Sequence, residues 1–509
     1  MTSPTGPLVV AAVAVICLAT LVVGSVGLRI SRATSDFYVA GRSVSPGRNA
    51  GAISGEYLSA ASFLGVAGLV YDRGVDMLWF PVGYTIGYVV LLVLVAAPLR
   101  RSGAYTLPDF AEARLESTTI RLLSSVLVVA IGWLYLLPQL QGAGLALQHV
   151  TGWPYWVGST VVAVVVLVNV ASGGMRSITV VQAMQYWVKL AAISVPAFVL
   201  LALWWRGGTP APDLPGSFWD SPGGGFRVGG HPLYATWSTL LALALGTMGL
   251  PHVVVRFYTN PSGVDARRTT VSVVALLGAF YLFPPVYAAL GRVYLPVLPS
   301  GDRNDQIMLD LPNVMSPGLL GAVLTAVISG GAFAAFLATA SGLVLSVSTA
   351  LHQDLLGPRL ARLTGDDASS ITGFRLAAVL AVVVPWLISR AVPPLGLATT
   401  VGLAFAVAAA TFAPLLVLGV WWPRLSTTGA AAGLVVGGLS ATLAVAATIF
   451  GGPYAGWTAA LLAQPAAWCT PLAVLTMVTV SLATPKKVPA GTARTLLRLH
   501  TPESVRLRS

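Results

Sequence analysis

Residues 49–70 read NAGAISGEYLSAASFLGVAGLV. The stretch is long and apolar enough to cross a bilayer, which takes about 20 helical residues. It cannot cross as one regular helix. Gly51, Gly55 and Gly65 loosen it, and Glu56, Tyr57, Ser59 and Ser62 put polar groups at its middle. A carboxylate at that depth costs about 2.5 kcal/mol or more and marks a function. Glycines beside it let the helix unwind and turn carbonyls inward. This is the pattern of an interrupted helix in a secondary transporter.

The rest of the chain is built for the same solvent. Its 509 residues are 56% hydrophobic and 9% charged, with a mean hydropathy of +0.81. Soluble domains carry about 25% charged residues, so a large soluble domain is excluded. The net charge of +12 is scattered between apolar runs, which argues against nucleic acid as a partner. Cys17 and Cys469 lie in apolar runs near opposite ends of the chain and read as filler. No Lys or Arg precedes Arg29, so the first run lacks the basic start of a cleaved signal peptide and is expected to stay as an anchor.

Thirteen spans are expected, near 7–28, 48–71, 77–99, 118–147, 155–175, 178–204, 236–258, 268–292, 313–352, 373–390, 394–422, 428–450 and 464–484. A cytoplasmic C-terminus puts the N-terminus outside and 22 of the 29 Lys and Arg, Arg256 among them, on the inner side. Glu56 is then the single acid inside a span, and Lys189 the single Lys or Arg assigned to a span interior. The loop from Arg206 to Pro232 reads as an irregular outer loop, and the basic tail from Thr484 as an orientation signal at the inner leaflet.

The seventh span is also broken, at Gly246, Gly249 and Pro251 in LGTMGLPHVVVRFY. Two interrupted spans at matching places of two halves point to a binding site at the midplane. Spans 2–6 and 7–11 are the expected repeats. An odd number of spans in each forces opposite orientations, so the repeats are inverted.

Sodium takes five or six hard oxygens, which a helix break and nearby hydroxyls supply. Gly55 and Leu58 are three apart at the first break. Ala335, Ala338 and Thr339 share one face of the ninth span. Thr339 and Ser341 either offer hydroxyls to an ion or bond back to their own helix. Gln139 and Gln141, beside Pro138, either line the cavity or tie helices together. His252, after the second break, reads as a ligand contact or a packing residue. Gln182, Gln185 and Lys189 share a face, with Lys189 either snorkelling or pairing with an acid. Gly429, Gly433 and Gly437 repeat GxxxG, a helix-packing pattern. Neither GxxxxGK[ST] nor HExxH occurs, so an ion gradient is the expected energy source and no enzyme activity or cofactor is expected.

The segment DFYVAGRSVSPGRNAGAISGEYLSAASFLGVAGLVY resembles the sodium:solute symporter family, and within it the cation/acetate and monocarboxylate symporters. SGGMRSITVVQAMQYWVKL, GTMGLPHVVVRFYTNP and LVLSVSTALHQDLL carry the same resemblance, which covers about residues 36 to 480. It implies an all-α polytopic membrane protein with a leucine-transporter-type core of inverted five-helix repeats. The family's sodium site maps onto the carbonyls of Gly55, Leu58 and Ala335 and onto the pair Ala338–Thr339. Many members have two hydroxyl residues in that pair, where this chain has Ala338 first. Glu56 replaces the usual aspartate of GDYMSAASF, and Gln182 stands where sugar and proline relatives carry an aspartate. The coupling ion is expected to be sodium or a proton.

The expected units are 1–35, an N-terminal span and loop; 36–235, the first repeat and outer loop; 236–425, the second repeat; 426–484, two further spans; and 485–509, the basic tail. The expected function is cation-coupled symport of a small monocarboxylate such as acetate, propionate or pyruvate across the plasma membrane. Glu56, Tyr57, Ser59, Gln139, Gln141 and His252 are the candidates for substrate contact or coupling. Amides freed at a break suit a carboxylate, although no basic partner for Glu56 or for an anion is evident. A symporter of another small solute such as an amino acid is the alternative. A channel would be expected to show a pore-lining repeat, and a sensor an appended signalling domain.

Overall fold

In a bilayer every backbone N–H and C=O must be satisfied within protein, so apolar runs become helices. The computed structural model describes residues 5–28, 40–212, 218–219, 221, 228–296, 304–357, 371–394 and 396–503, and all their regular structure is helical. Residues 213–217, 220 and 222–227 of the expected irregular outer loop, and Arg506 and Arg508 of the tail, lie outside these residues.

Among the described residues, ten helices are long and apolar enough to cross a membrane, or twelve if each of two bent pairs is one span. The bent pairs are Pro46–Tyr57 with Ala61–Arg73, at 71°, and Pro232–Gly249 with Pro251–Thr259, at 41°. They are the two spans whose glycines and prolines predict a break. The helix Tyr155–Arg206 has 52 residues, about 78 Å at 1.5 Å each, more than two bilayer cores. It breaks at Gly174, whose φ of 58° and ψ of −165° only glycine adopts readily. Asn169 and Ser177, on either side, both lie against Gly24, which a straight helix would not allow. Taken as two crossings, this helix brings the number to the expected thirteen.

Boundaries differ from expectation where prolines and glycines intervene. The eighth span stops at Tyr281 and restarts at Pro284. The ninth starts at Leu319, and a separate short helix, Ile307–Met315, precedes it. Within the described tail, Thr492–His500 is a helix, docked on Ala96–Ser102 through bonds from Arg101 to the carbonyls of Leu499 and His500.

Burial sorts the spans into inner and outer. The apolar windows of Leu319–Leu356 and Leu397–Trp421 are 78% and 83% buried, against 28% for Thr5–Ser25. The first two therefore form the centre, and Thr5–Ser25 faces lipid on most sides. Trp153, Trp156, Trp205, Trp237 and Trp457 are exposed near span ends, as in the aromatic belts of membrane proteins. The two broken spans converge on the central helices and place their breaks together.

Candidate substrate and cation site

The first break begins where Pro46–Tyr57 ends. Leu58 leaves the helix at φ −70° and ψ 81°, and a π-helical turn over Ala61–Gly65 re-enters it. The N–H of Ala60, freed at the restart, donates to Gln139 Oε1 at 3.1 Å. The second break forms because Pro251 disfavours a helical residue before it; Leu250 is extended, at φ −75° and ψ 119°. Tyr57 joins the two broken spans, its hydroxyl 2.7 Å from Thr247 Oγ1.

Three charged side chains meet between the breaks, none more than 1% exposed: Glu56, Lys189 and Arg256. Arg256 Nε donates to Glu56 Oε2 at 2.6 Å. Its remaining donors reach Thr179 Oγ1 at 2.8 Å, Met175 Sδ at 3.0 Å and Gln182 Oε1. Lys189 Nζ donates to the carbonyls of Gly55 and Leu58, the latter at 2.8 Å. Gln182 Nε2 donates to Ala338 O at 2.8 Å, and Thr339 Oγ1 to Glu56 O at 2.5 Å. Gly342 leaves room for the Glu56 carboxylate, which a Cβ there would overlap. Two basic groups against one acid make the cluster positive by one charge.

Beside this cluster lies an aromatic group. The Tyr57 ring stands edge-on to Tyr84 and Tyr88 at 5.7 and 4.8 Å, and Tyr135 packs on Phe405 and His252 at 5.8 and 5.3 Å. Several buried polar atoms here have no hydrogen-bond partner: the hydroxyls of Tyr84 and Tyr88, Gln139 Nε2, and both ring nitrogens of His252. Such groups are normally satisfied by protein, water or a bound group. A narrow cleft lined by Tyr105, Pro108, Met175, Pro251, Val255 and Leu345 reaches the second break from the side expected to be cytoplasmic. A second, of about 530 Å³, lies at the other end over Asp72, Arg73 and Asn304.

Most of the expected site residues come together. Gly55, Leu58, Ala338 and Thr339 share one bonded cluster with Glu56; Ala335 is fully buried one turn before Thr339. Tyr57, Ser59 and Gln139 gather at the first break and His252 at the second. Gln141 goes elsewhere: its Nε2 donates to Val392 O at 3.0 Å, the helix-tying reading. Two expectations are corrected. Arg256 is not a solvated inner-loop residue but the buried partner of Glu56, so a basic group does stand at the break. Lys189 neither snorkels nor bonds an acid; it bonds two carbonyls. The signal for Arg256 was its place five residues after Pro251, in the break that matches the one carrying Glu56.

The sequence profile of the sodium:solute symporter family matches residues 37–210 and 220–437. A monocarboxylic acid transporter of Corynebacterium glutamicum is 31% identical over 454 residues, covering 84% of this chain and 81% of that protein. The uncharacterized symporter YwcA of Bacillus subtilis is 32% identical over 436 residues, covering 84% and 83%. A Na+-coupled sialic acid symporter, solved substrate-bound and outward-open, superposes with a TM-score of 0.69 at 16% identity, covering 94% of this chain and 97% of that one. MhsT in complex with L-phenylalanine gives 0.53 at 15% identity, covering 86% and 98%. These two likenesses show the fold, the leucine-transporter type. With its broken spans meeting at a buried charged centre, this chain belongs to the sodium:solute symporter family.

Proposed function

We propose that the protein is a symporter that couples entry of a small monocarboxylate to a cation gradient, of sodium or of protons. The observation that carries this is the set of orphaned groups between the breaks that can donate: the Tyr84 and Tyr88 hydroxyls, Gln139 Nε2 and one nitrogen of the His252 ring. Donors without acceptors suit an acceptor-rich ligand, and a carboxylate is acceptor-only. The surrounding rings give such a ligand an apolar flank. The net positive charge of Lys189, Arg256 and Glu56 favours one negative charge, while a dicarboxylate would bring a second into an apolar surround. The likeness to a monocarboxylic acid transporter supports the same class.

In this reading Tyr57, Ser59, Gln139 and His252 contact substrate, Glu56 couples the two breaks, and Gly55, Leu58, Ala335, Ala338 and Thr339 form the cation cluster. The bias of Lys and Arg supports a plasma-membrane orientation with the N-terminus outside and the C-terminus in the cytoplasm. The test is uptake of labelled acetate, propionate and pyruvate into proteoliposomes under an imposed sodium or proton gradient. Gradient-driven uptake that the three acids compete for, and succinate and glucose do not, is the expected result. Equal competition by succinate, or uptake indifferent to both gradients, overturns it.

A further inference from the structure

Four of the five residues expected to ligate sodium are already engaged by protein groups. Lys189 Nζ takes the carbonyls of Gly55 and Leu58, Gln182 Nε2 takes that of Ala338, and Thr339 spends its proton on Glu56 O. Each of these oxygens already has one partner, and for the two that the break frees that partner is a charged ammonium, which repels a second cation. We propose that Lys189 is itself the cation of this site: its ammonium, tethered to the Tyr155–Arg206 helix, closes the freed carbonyls and shuts sodium out of them.

Three observations support this. Gln182, Gln185 and Lys189 lie on one helix face, and that face is pressed onto the break. A Cβ on Gly55 would overlap the carbonyl of Gln182. The amine is therefore delivered to the break by backbone packing rather than by a flexible reach. Lys189 is also completely buried, and the two carbonyls are its hydrogen-bond acceptors. A sodium ion taking them would strand a buried ammonium, which is strongly unfavourable. Finally, a tethered group pays no loss of translational freedom and sits at high effective concentration, so it outcompetes a free ion.

The inference rests on the reading of the chain as a cation-coupled symporter and specifies its cation cluster: the cation at Gly55 and Leu58 is the Lys189 ammonium, so a coupling sodium ion binds elsewhere. Binding of radiolabelled sodium to the purified protein, with no substrate present, tests it apart from transport. Wild type and Thr339→Ala are expected to bind sodium alike, within about twofold. Lys189→Ala opens the carbonyls and is expected to bind sodium about tenfold more tightly than wild type, a gain that adding Thr339→Ala removes. Lys189→Ser serves if the alanine variant does not fold. Wild-type sodium binding that Thr339→Ala weakens about tenfold overturns the inference, and needs no Lys189 variant. So does a folded Lys189 variant that binds sodium no better than wild type. Absence of monocarboxylate uptake would sink the transport reading and leave the sodium result untouched.

Discussion

Neutralising Glu56 strands its partner. Arg256 is 1% exposed, and its Nε bonds Glu56 Oε2 at 2.6 Å. Removing one member of a buried pair costs about 3–5 kcal/mol, because the other charge is left without compensation. Glu56→Gln and Arg256→Gln, each alone, should lower stability by about that much, measured as a fall in thermal midpoint of the purified protein. The double variant should recover part of the loss, since Lys189, held by two carbonyls, is then the one charge left in the cluster, yet still fail to transport. A Glu56→Gln protein that melts with wild type would show the pair to be without weight. Glu56 was legible in the sequence because an acid inside an apolar run is rare. Its partner was not: Arg256 ends a short apolar run, where a basic residue more often faces the aqueous side of the membrane.

At the scale of elements, helix ends on the face that carries the tail are held by side chains from distant segments. Arg114, of the helix Leu107–Leu115, donates to Gly419 O at 2.8 Å, Trp422 O at 3.1 Å and Thr492 Oγ1 at 3.1 Å. It caps the orphan carbonyls at the end of Leu397–Trp421 and holds the tail helix with the same fork. Burial lowers its pKa to about 10, which leaves it charged at neutral pH. Arg114→Ala should cost about 3 kcal/mol by leaving buried acceptors unpaired, read in the thermal midpoint. Arg114→Lys should not restore it, because one ammonium cannot reach three acceptors set in a fork. The two breaks were readable from Gly and Pro. Their satisfaction was not, since Gln139 reaches the Ala60 amide from another span.

Across the whole molecule, the outer shell faces lipid, the centre is polar, and the described tail is locked to the body. Glu503 accepts from Gly263 N at 2.6 Å, at the start of the Gly263–Tyr281 helix, and pairs with Arg101 at 3.4 Å. Partial burial pushes its carboxyl pKa up, but the backbone N–H groups and Arg101 outweigh that and hold it below the usual value. A depressed folded pKa means the contribution is complete above the unfolded carboxyl value of about 4.3 and is lost as pH falls through the folded one. Hydrogen exchange over 492–500, corrected for its intrinsic pH dependence, should therefore stay slow at neutral pH and quicken only once pH has fallen below the unfolded carboxyl value of about 4.3. Glu503→Gln should exchange faster already at neutral pH and lose this response. Protection that does not change over that range would leave the contact without a role in docking.

The sequence by itself determined the membrane class, the approximate spans, both breaks and the one acid inside a span. Each is a local property: bilayer thickness sets the length of an apolar run, glycine and proline mark where a helix stops, and a buried carboxylate is costly wherever it sits. Tertiary structure alone decided how the centre is wired. Glu56 and Arg256 are 200 residues apart, and Lys189 is 131 from Leu58, whose carbonyl it bonds. Spacing along one helix says which residues share a face but not which face meets it. Whether the carbonyls at the break stand open to a free cation or closed by a tethered one depends on backbone packing between Gly55 and Gln182, which belong to different spans and come within reach only in the assembled fold.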